Sequence, residues 1–164
     1  MLEVQGQQQP VRGFVIRPGE GRAIKIPGVA EISTVKAGGA DTAGTVSVHE
    51  EWKGPEDTGV PRHFHHHMDE MYYVLEGDMR FVLGEEEFVA GPGTFVYIPR
   101  GTIHAWRPTG TGPVRQLLIT IPGGFEGYLD EMQGLPTPQE DPKAWLELNR
   151  RWDAEIVGPT LEGA

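Results

Sequence analysis

The sequence contains no cysteine. Disulfides, thiolate metal ligands and cysteine nucleophiles are excluded together, which leaves histidine and carboxylate as the strong metal-binding side chains. Long apolar runs are also missing. A bilayer-spanning helix needs roughly 20 consecutive apolar residues, whereas the longest candidates are pieces such as LLITI and FVYI, so no membrane partner is expected. Positive charge is scarce: 14 Lys and Arg stand against 24 Asp and Glu, a formal net charge of −10. With no basic run to offset that field locally, nucleic acid and anionic lipid are poor partners. The segment MLEVQGQQQPVRGF has neither a basic n-region nor an apolar h-region, so nothing argues for secretion and the expected location is the cytoplasm.

Glycine and proline are plentiful, 23 and 14 of 164 residues, and they fall without period between short apolar runs. Such a length fits one domain with a real core, and such punctuation fits the turns of an all-β chain. Residues 1–13 are polar and Gln-rich and read as an N-terminal arm. From Phe14 onward FVIRP, RAIKIPG, AEISTVKAG and GTVSVHEEW alternate apolar and polar side chains. A second series follows, EMYYVLEG, MRFVLG, EEFVAGPG, TFVYIPRG, IHAWRP and VRQLLITIP. Short, evenly spaced strands separated by turn residues over 14–122 predict a sandwich or barrel. After Pro122 the period changes. Phe125, Tyr128, Leu129 and Met132 fall at helical spacing up to Gly134. Asp141 and Pro142 then open a second helix with Trp145, Leu148 and Trp152 on one face. Residues 123–164 are therefore read as a helical extension packed outside the strands.

The stretch PRHFHHHMDEMYYVLEG sets four histidines in the five positions from His63 to His67. In a strand, His63, His65 and His67 share one face and Phe64 and His66 the other. The cluster alone fits either a metal site or a solvated polar patch. Glu70 adds a carboxylate to the imidazoles, a donor set suited to divalent transition ions. Further on, GPGTFVYIPRGTIHAWRP places His104 at the start of a strand, where it faces inward beside Trp106.

Together these two segments resemble the cupin superfamily. The first cupin motif, G(X)5HXH(X)3,4E(X)6G, is matched by His63, His65, Glu70 and Gly77, although its opening glycine is out of register, with Gly59 only three residues before His63. The second, G(X)5PXG(X)2H(X)3N, is matched by Gly93, Pro99, Gly101 and His104, with Pro108 in place of the final asparagine. The resemblance implies a jelly-roll barrel (a double-stranded β-helix) over the core from about Thr45 to Pro122. The implied ligands of one divalent transition metal (Fe, Mn, Ni, Co, Cu or Zn) are His63, His65, Glu70 and His104. The remaining histidines are then bystanders: His66 on the surface, His67 at the pocket rim and His49 structural.

Within the superfamily, DEMYYVLEGDMRFVLG, FVYIPRGTIHAWRPTG and IPGGFEGYLDEM look like the quercetin 2,3-dioxygenase-like group of small monocupins. That similarity implies a metal-dependent dioxygenase acting with O2 on an enolic or phenolic, flavonol-like small molecule. Glu70 would both ligate and accept the substrate proton, its pKa raised by the pocket. A metal-dependent isomerase or epimerase of a keto or sugar compound, and a non-catalytic binding cupin, use the same constellation. Parity from Glu70 and His104 assigns Tyr72, Val74 and Trp106 to the substrate pocket. Phe81, Phe95 and Tyr97 are assigned to the core, and Arg80 and Arg100 to the solvated surface. A homodimer is the expected assembly, as is common among cupins.

Overall fold

The computed structural model describes residues 11–162. Residues 1–10 of the expected arm lie outside that range, and residues 11–21 carry no strand or helix. The strand expected at FVIRP is therefore not formed: Phe14, Val15 and Ile16 are exposed and have no core to enter. Regular structure begins with β1 (Arg22–Lys25), β2 (Glu31–Ala37), β3 (Ser47–Lys53), β4 (Val60–His65) and β5 (Asp69–Glu76). It continues with β6 (Asp78–Leu83), β7 (Glu86–Ala90), β8 (Phe95–Ile98), β9 (His104–Thr109) and β10 (Val114–Ile121).

Two antiparallel sheets result. One runs β1-β2-β3-β10-β5-β8, and the other is built on β4-β9-β6-β7. From β3 to β10 the chain crosses between the sheets at every step except β6 to β7, as in a jelly roll, and the sharpest switch is the single residue Gly77 between β5 and β6. Its φ is +75°, and a Cβ would lie 2.4 Å from the Pro113 carbonyl oxygen, so glycine is demanded twice over. Between the sheets Tyr72, Val74, Met79, Phe81, Val96, Ile98, Trp106 and Leu118 form the buried core. Phe95 and Tyr97, expected in the core, are exposed instead. The alternation along edge strand β8 turns Val96 and Ile98 inward, and the two aromatics lie outside, opposite Tyr73 and Met71 of β5.

The chain then forms α1 (Phe125–Gln133), α2 (Pro142–Arg151) and a last strand, β11 (Ala154–Ile156). The Asp141 side chain caps α2 by accepting the Ala144 amide. Gly127 leaves room for Trp152, whose ring a Cβ there would meet at 2.5 Å. The strand β11 is a feature of the extension that helical periodicity did not indicate. It pairs with β4, setting Ala154 opposite His65 and Ile156 opposite His63, and so covers the edge that carries the histidine motif.

Candidate metal centre and its cavity

The two motif segments meet where the chain crosses between the sheets. His63 and His65 lie at the end of β4, and Glu70 opens β5 after the crossing. His104 opens β9 after the other crossing and is the cross-strand partner of His63. Two backbone contacts hold the crossings together: the Gly101 amide donates to the His65 carbonyl at 2.7 Å, and the Arg100 amide donates to Asp69 Oδ1 at 2.8 Å. Gly101 takes φ +79° to make this turn.

The four side chains His63, His65, Glu70 and His104 are buried, and one donor atom from each lies within 4.8 Å of the others. His104 Nε2 is 2.8 Å from Glu70 Oε2, and His65 Nε2 is 3.5 Å from Glu70 Oε1. The imidazoles of His63 and His104 are oriented from behind, because Nδ1 of each meets a backbone carbonyl, Pro61 at 2.8 Å and Thr102 at 2.9 Å. An Nδ1–H donated there leaves the Nε2 lone pair directed at the centre, the outer support that metal-binding histidines need. Both nitrogens of His65 lack hydrogen-bond partners. Buried polar atoms left unsatisfied are costly, and a divalent cation among three imidazoles and one carboxylate would satisfy one of the two.

Burial pushes His63 down to about 4, with His104 adding to the effect, so its imidazole is neutral at physiological pH. Burial also opposes the charge on His104, but its hydrogen bond to Glu70 and that carboxylate's charge outweigh it and raise the imidazole. Glu70 departs from the expectation that the pocket would raise it. Burial does push it up, yet the neighbouring His65 and His104 win and hold it well below the usual carboxylate range.

A cavity of about 720 Å³ opens onto His63, His65 and Glu70, within the range of small-molecule sites. Tyr72 and Trp106 line it, and the Trp106 indole donates to the Tyr72 hydroxyl at 3.0 Å. Val74 does not line it. It is fully buried among the core side chains, because strand parity fixes the side of a sheet but not whether neighbours fill the space above. Helices α1 and α2 pack outside the strands, and their inner side chains, Phe125, Tyr128 and Trp145 among them, form part of the wall. The remaining histidines lie elsewhere. His66 and His67 are exposed, the first beside Glu155 and the second against Asp153, while His49 is buried with Nδ1 2.9 Å from the Ser33 hydroxyl. Arg100 and Arg80 pair with Asp69 and Glu87.

Periodicity also missed a polar group. Ser47, His49, Glu51 and Lys53 of β3 are buried while Trp52 is exposed, so this strand turns its polar side chains inward. GTVSVHEEWK does alternate, and the signal was the number of ionisable residues sharing one parity.

The family described as "Cupin domain" matches residues 52–120, which contain all four cluster residues. Residues 52–120 thus form a cupin domain. The chain is 29% identical over 76 residues to quercetin 2,3-dioxygenase of Bacillus subtilis, a match that covers 46% of the chain and 22% of that relative. It is 35% identical over 60 residues to an uncharacterized protein of Methanocaldococcus jannaschii, covering 37% of the chain and 48% of the relative. The chain thus matches less than half the length of these curated relatives. Among solved structures, the chain resembles a predicted oxalate decarboxylase from Thermotoga maritima, with a TM-score of 0.61, 18% identity and coverage of 66% of this chain and 99% of that one. It also resembles the polyketide cyclase RemF from Streptomyces resistomycificus, with a TM-score of 0.56, 28% identity and coverage of 68% and 80%. No helix among the described residues is long and apolar enough to cross a membrane.

Proposed function

We propose that this cupin-domain protein is a metal-dependent dioxygenase acting on an enolic or phenolic small molecule. The observation that carries the reading is the buried cluster of three histidines and Glu70 opening into a cavity walled by Tyr72, Trp106, Phe125, Tyr128 and Trp145. His63, His65, Glu70 and His104 would hold the ion, which when bound supplies Lewis-acid and redox chemistry beside the substrate. The aromatic wall orients a planar ring system and excludes water. Tyr72 stays protonated, because burial pushes its phenol well above the usual range and the charge of Glu70 adds to that. With its oxygen already accepting from Trp106, its own O–H is available to a substrate oxygen. Glu70, held ionised, is the nearest base to receive the enolic proton, although its low pKa makes that transfer efficient only for an acidic hydroxyl. The similarity to quercetin 2,3-dioxygenase supports this choice of reaction. The test is oxygen uptake by protein reconstituted separately with Fe, Mn, Co, Ni, Cu and Zn and supplied with quercetin. Stoichiometric uptake with at least one metal supports the reading, and none with any metal refutes it.

A second reading is a non-oxidative rearrangement or ring closure of an aromatic precursor in the same cavity. The 28% identity to a polyketide cyclase favours it. It is distinguished by turnover under anaerobic conditions.

A further inference from the structure

The inward-facing polar residues of β3 form a group that the metal site leaves without a task. Lys53, fully buried, has its Nζ 2.9 Å from Glu31 Oε1 and 3.1 Å from Glu51 Oε2, and lies 3.9 Å from the centroid of the Trp106 ring. Gln116 Nε2 donates to Glu51 Oε2 at 2.8 Å. Asp57 is 3% exposed; its Oδ1 accepts the Gly59 amide at 2.7 Å, while its Oδ2 has no partner. Glu31, Glu51 and Asp57 all line the cavity that opens onto the histidines, and Lys53 stands behind them. Glu31 and Glu51 thus share one ammonium directly, and Asp57 feels only its charge. Burying them costs stability that apolar side chains of similar volume would not, so a role in recognition accounts for them better than packing does.

The cavity wall as a whole points to the class of ligand. It carries five carboxylates, Glu31, Glu51, Glu56, Asp57 and Glu70, and no lysine or arginine among its described residues. At the end remote from the metal centre, a phosphate or carboxylate would meet repulsion and no lysine or arginine in the wall to pair with. A cationic ligand is disfavoured by occupancy, since Lys53 already holds the ammonium position over Trp106 and between Glu31 and Glu51. What fits is a neutral group that donates hydrogen bonds to carboxylate oxygens. Burial, opposed by Lys53 but aided by Glu51, raises Glu31 to about 7, so the group offers a donor as well as acceptors near neutrality.

Its distance from the metal centre follows from the ladder. Glu70 pairs with Thr120 and Thr120 with Ser47, so these three form one row; Glu51 is four residues further along β3, about 13 Å away at strand rise. Tyr72 and Trp106 lie between. A linked multi-ring molecule can engage both ends, whereas a small acid cannot.

We infer that Glu31, Glu51 and Asp57, braced by Lys53, bind the hydroxyl groups at the end of an uncharged aromatic substrate remote from the metal, and that this carboxylate group excludes anionic substrates. The inference rests on the proposed reading of the cavity as an aromatic-substrate site, and its test reads binding rather than turnover. Quenching of tryptophan fluorescence in the metal-loaded protein would be titrated with quercetin, with 3-hydroxyflavone, which keeps only the enolic hydroxyl, and with a ring-sulfated quercetin. The wild type is expected to bind quercetin at least about tenfold more tightly than 3-hydroxyflavone, as for one or more buried hydrogen bonds to a charged group, and to reject the sulfate ester. Asp57→Asn keeps the acceptor for Gly59 but replaces the free oxygen by an N–H donor. It should remove most of the preference while leaving metal content and 3-hydroxyflavone affinity unchanged, and Glu31→Gln should reduce the preference similarly. Near-UV circular dichroism would verify the fold of both variants. Equal affinity for the two flavonols, binding of neither, tight binding of the sulfate ester, or a preference unchanged in both variants overturns the inference. Hydroxyl-dependent binding without oxygen uptake supports it while refuting the dioxygenase reading.

Discussion

Glu70 Oε2 lies 2.8 Å from His104 Nε2 although the two residues belong to different sheets, Glu70 to β5 and His104 to β9. Their contact closes the seam of the barrel, and His63 and His65 join them from the neighbouring strand β4. The residues are thus assembled by topology from segments more than 30 positions apart at their extremes. This makes the cluster sensitive to loss of any one member.

His63→Ala and His104→Ala should each weaken metal binding by on the order of 100-fold or more, at least the effect seen when outer supports of a ligand are removed. Elemental analysis after dialysis would show the ion lost from both variants. His66→Ala and His67→Ala, altering exposed side chains outside the cluster, should retain it and change stability by within about 0.5 kcal/mol.

Lys53→Met removes the one cation buried between Glu31 and Glu51. Uncompensated buried charge costs about 3–5 kcal/mol, so the melting temperature should fall by roughly 10 °C in a domain of this size. Adding Glu51→Gln to the variant should recover part of the loss. A single variant as stable as the wild type would show that the lysine does not neutralise this group.

The pH dependence of stability should carry a contribution from Glu31. Folded, it keeps its proton up to about pH 7, against an ordinary value of 4.5. Between those values the folded chain binds more protons than the unfolded one, so the contribution is complete below pH 4.5 and is lost as pH rises through 7. Glu31→Gln cannot titrate. Denaturant melts from pH 4.5 to 8 should therefore show the wild type losing up to about 3 kcal/mol relative to the variant.

Gly59 explains the out-of-register glycine of the first motif. Its φ is +73°, and a Cβ would lie 1.9 Å from the Trp106 carbonyl oxygen, so the residue is needed where β4 approaches β9. Gly59→Ala should cost at least about 2 kcal/mol, lowering the melting temperature by roughly 4–8 °C.

Much of this was readable beforehand because it depends on local chemistry. Alternation and turn residues located β1 to β3 and β5 to β10, Asp141 with Pro142 located α2, and motif spacing with the resemblance it carries singled out His63, His65, Glu70 and His104. What escaped depends on partners distant in sequence. The direction of the shift at Glu70 is set by His65 and His104 across the seam. Phe95 and Tyr97 lie outside because β8 is an edge strand whose other parity carries Val96 and Ile98. The strand β11 is short and exists through its pairing with β4. The acids beside Lys53 were hidden by an alternation whose inward face is polar, which no hydrophobic pattern reveals.

The most direct test is an anomalous difference map, recorded at the absorption edge of whichever metal elemental analysis finds in the purified protein. The account predicts a single peak bonded to His63, His65, Glu70 and His104, with ligand distances of about 2.0–2.2 Å. Purified protein that takes up no divalent metal, or a peak lying away from these four side chains, would contradict it.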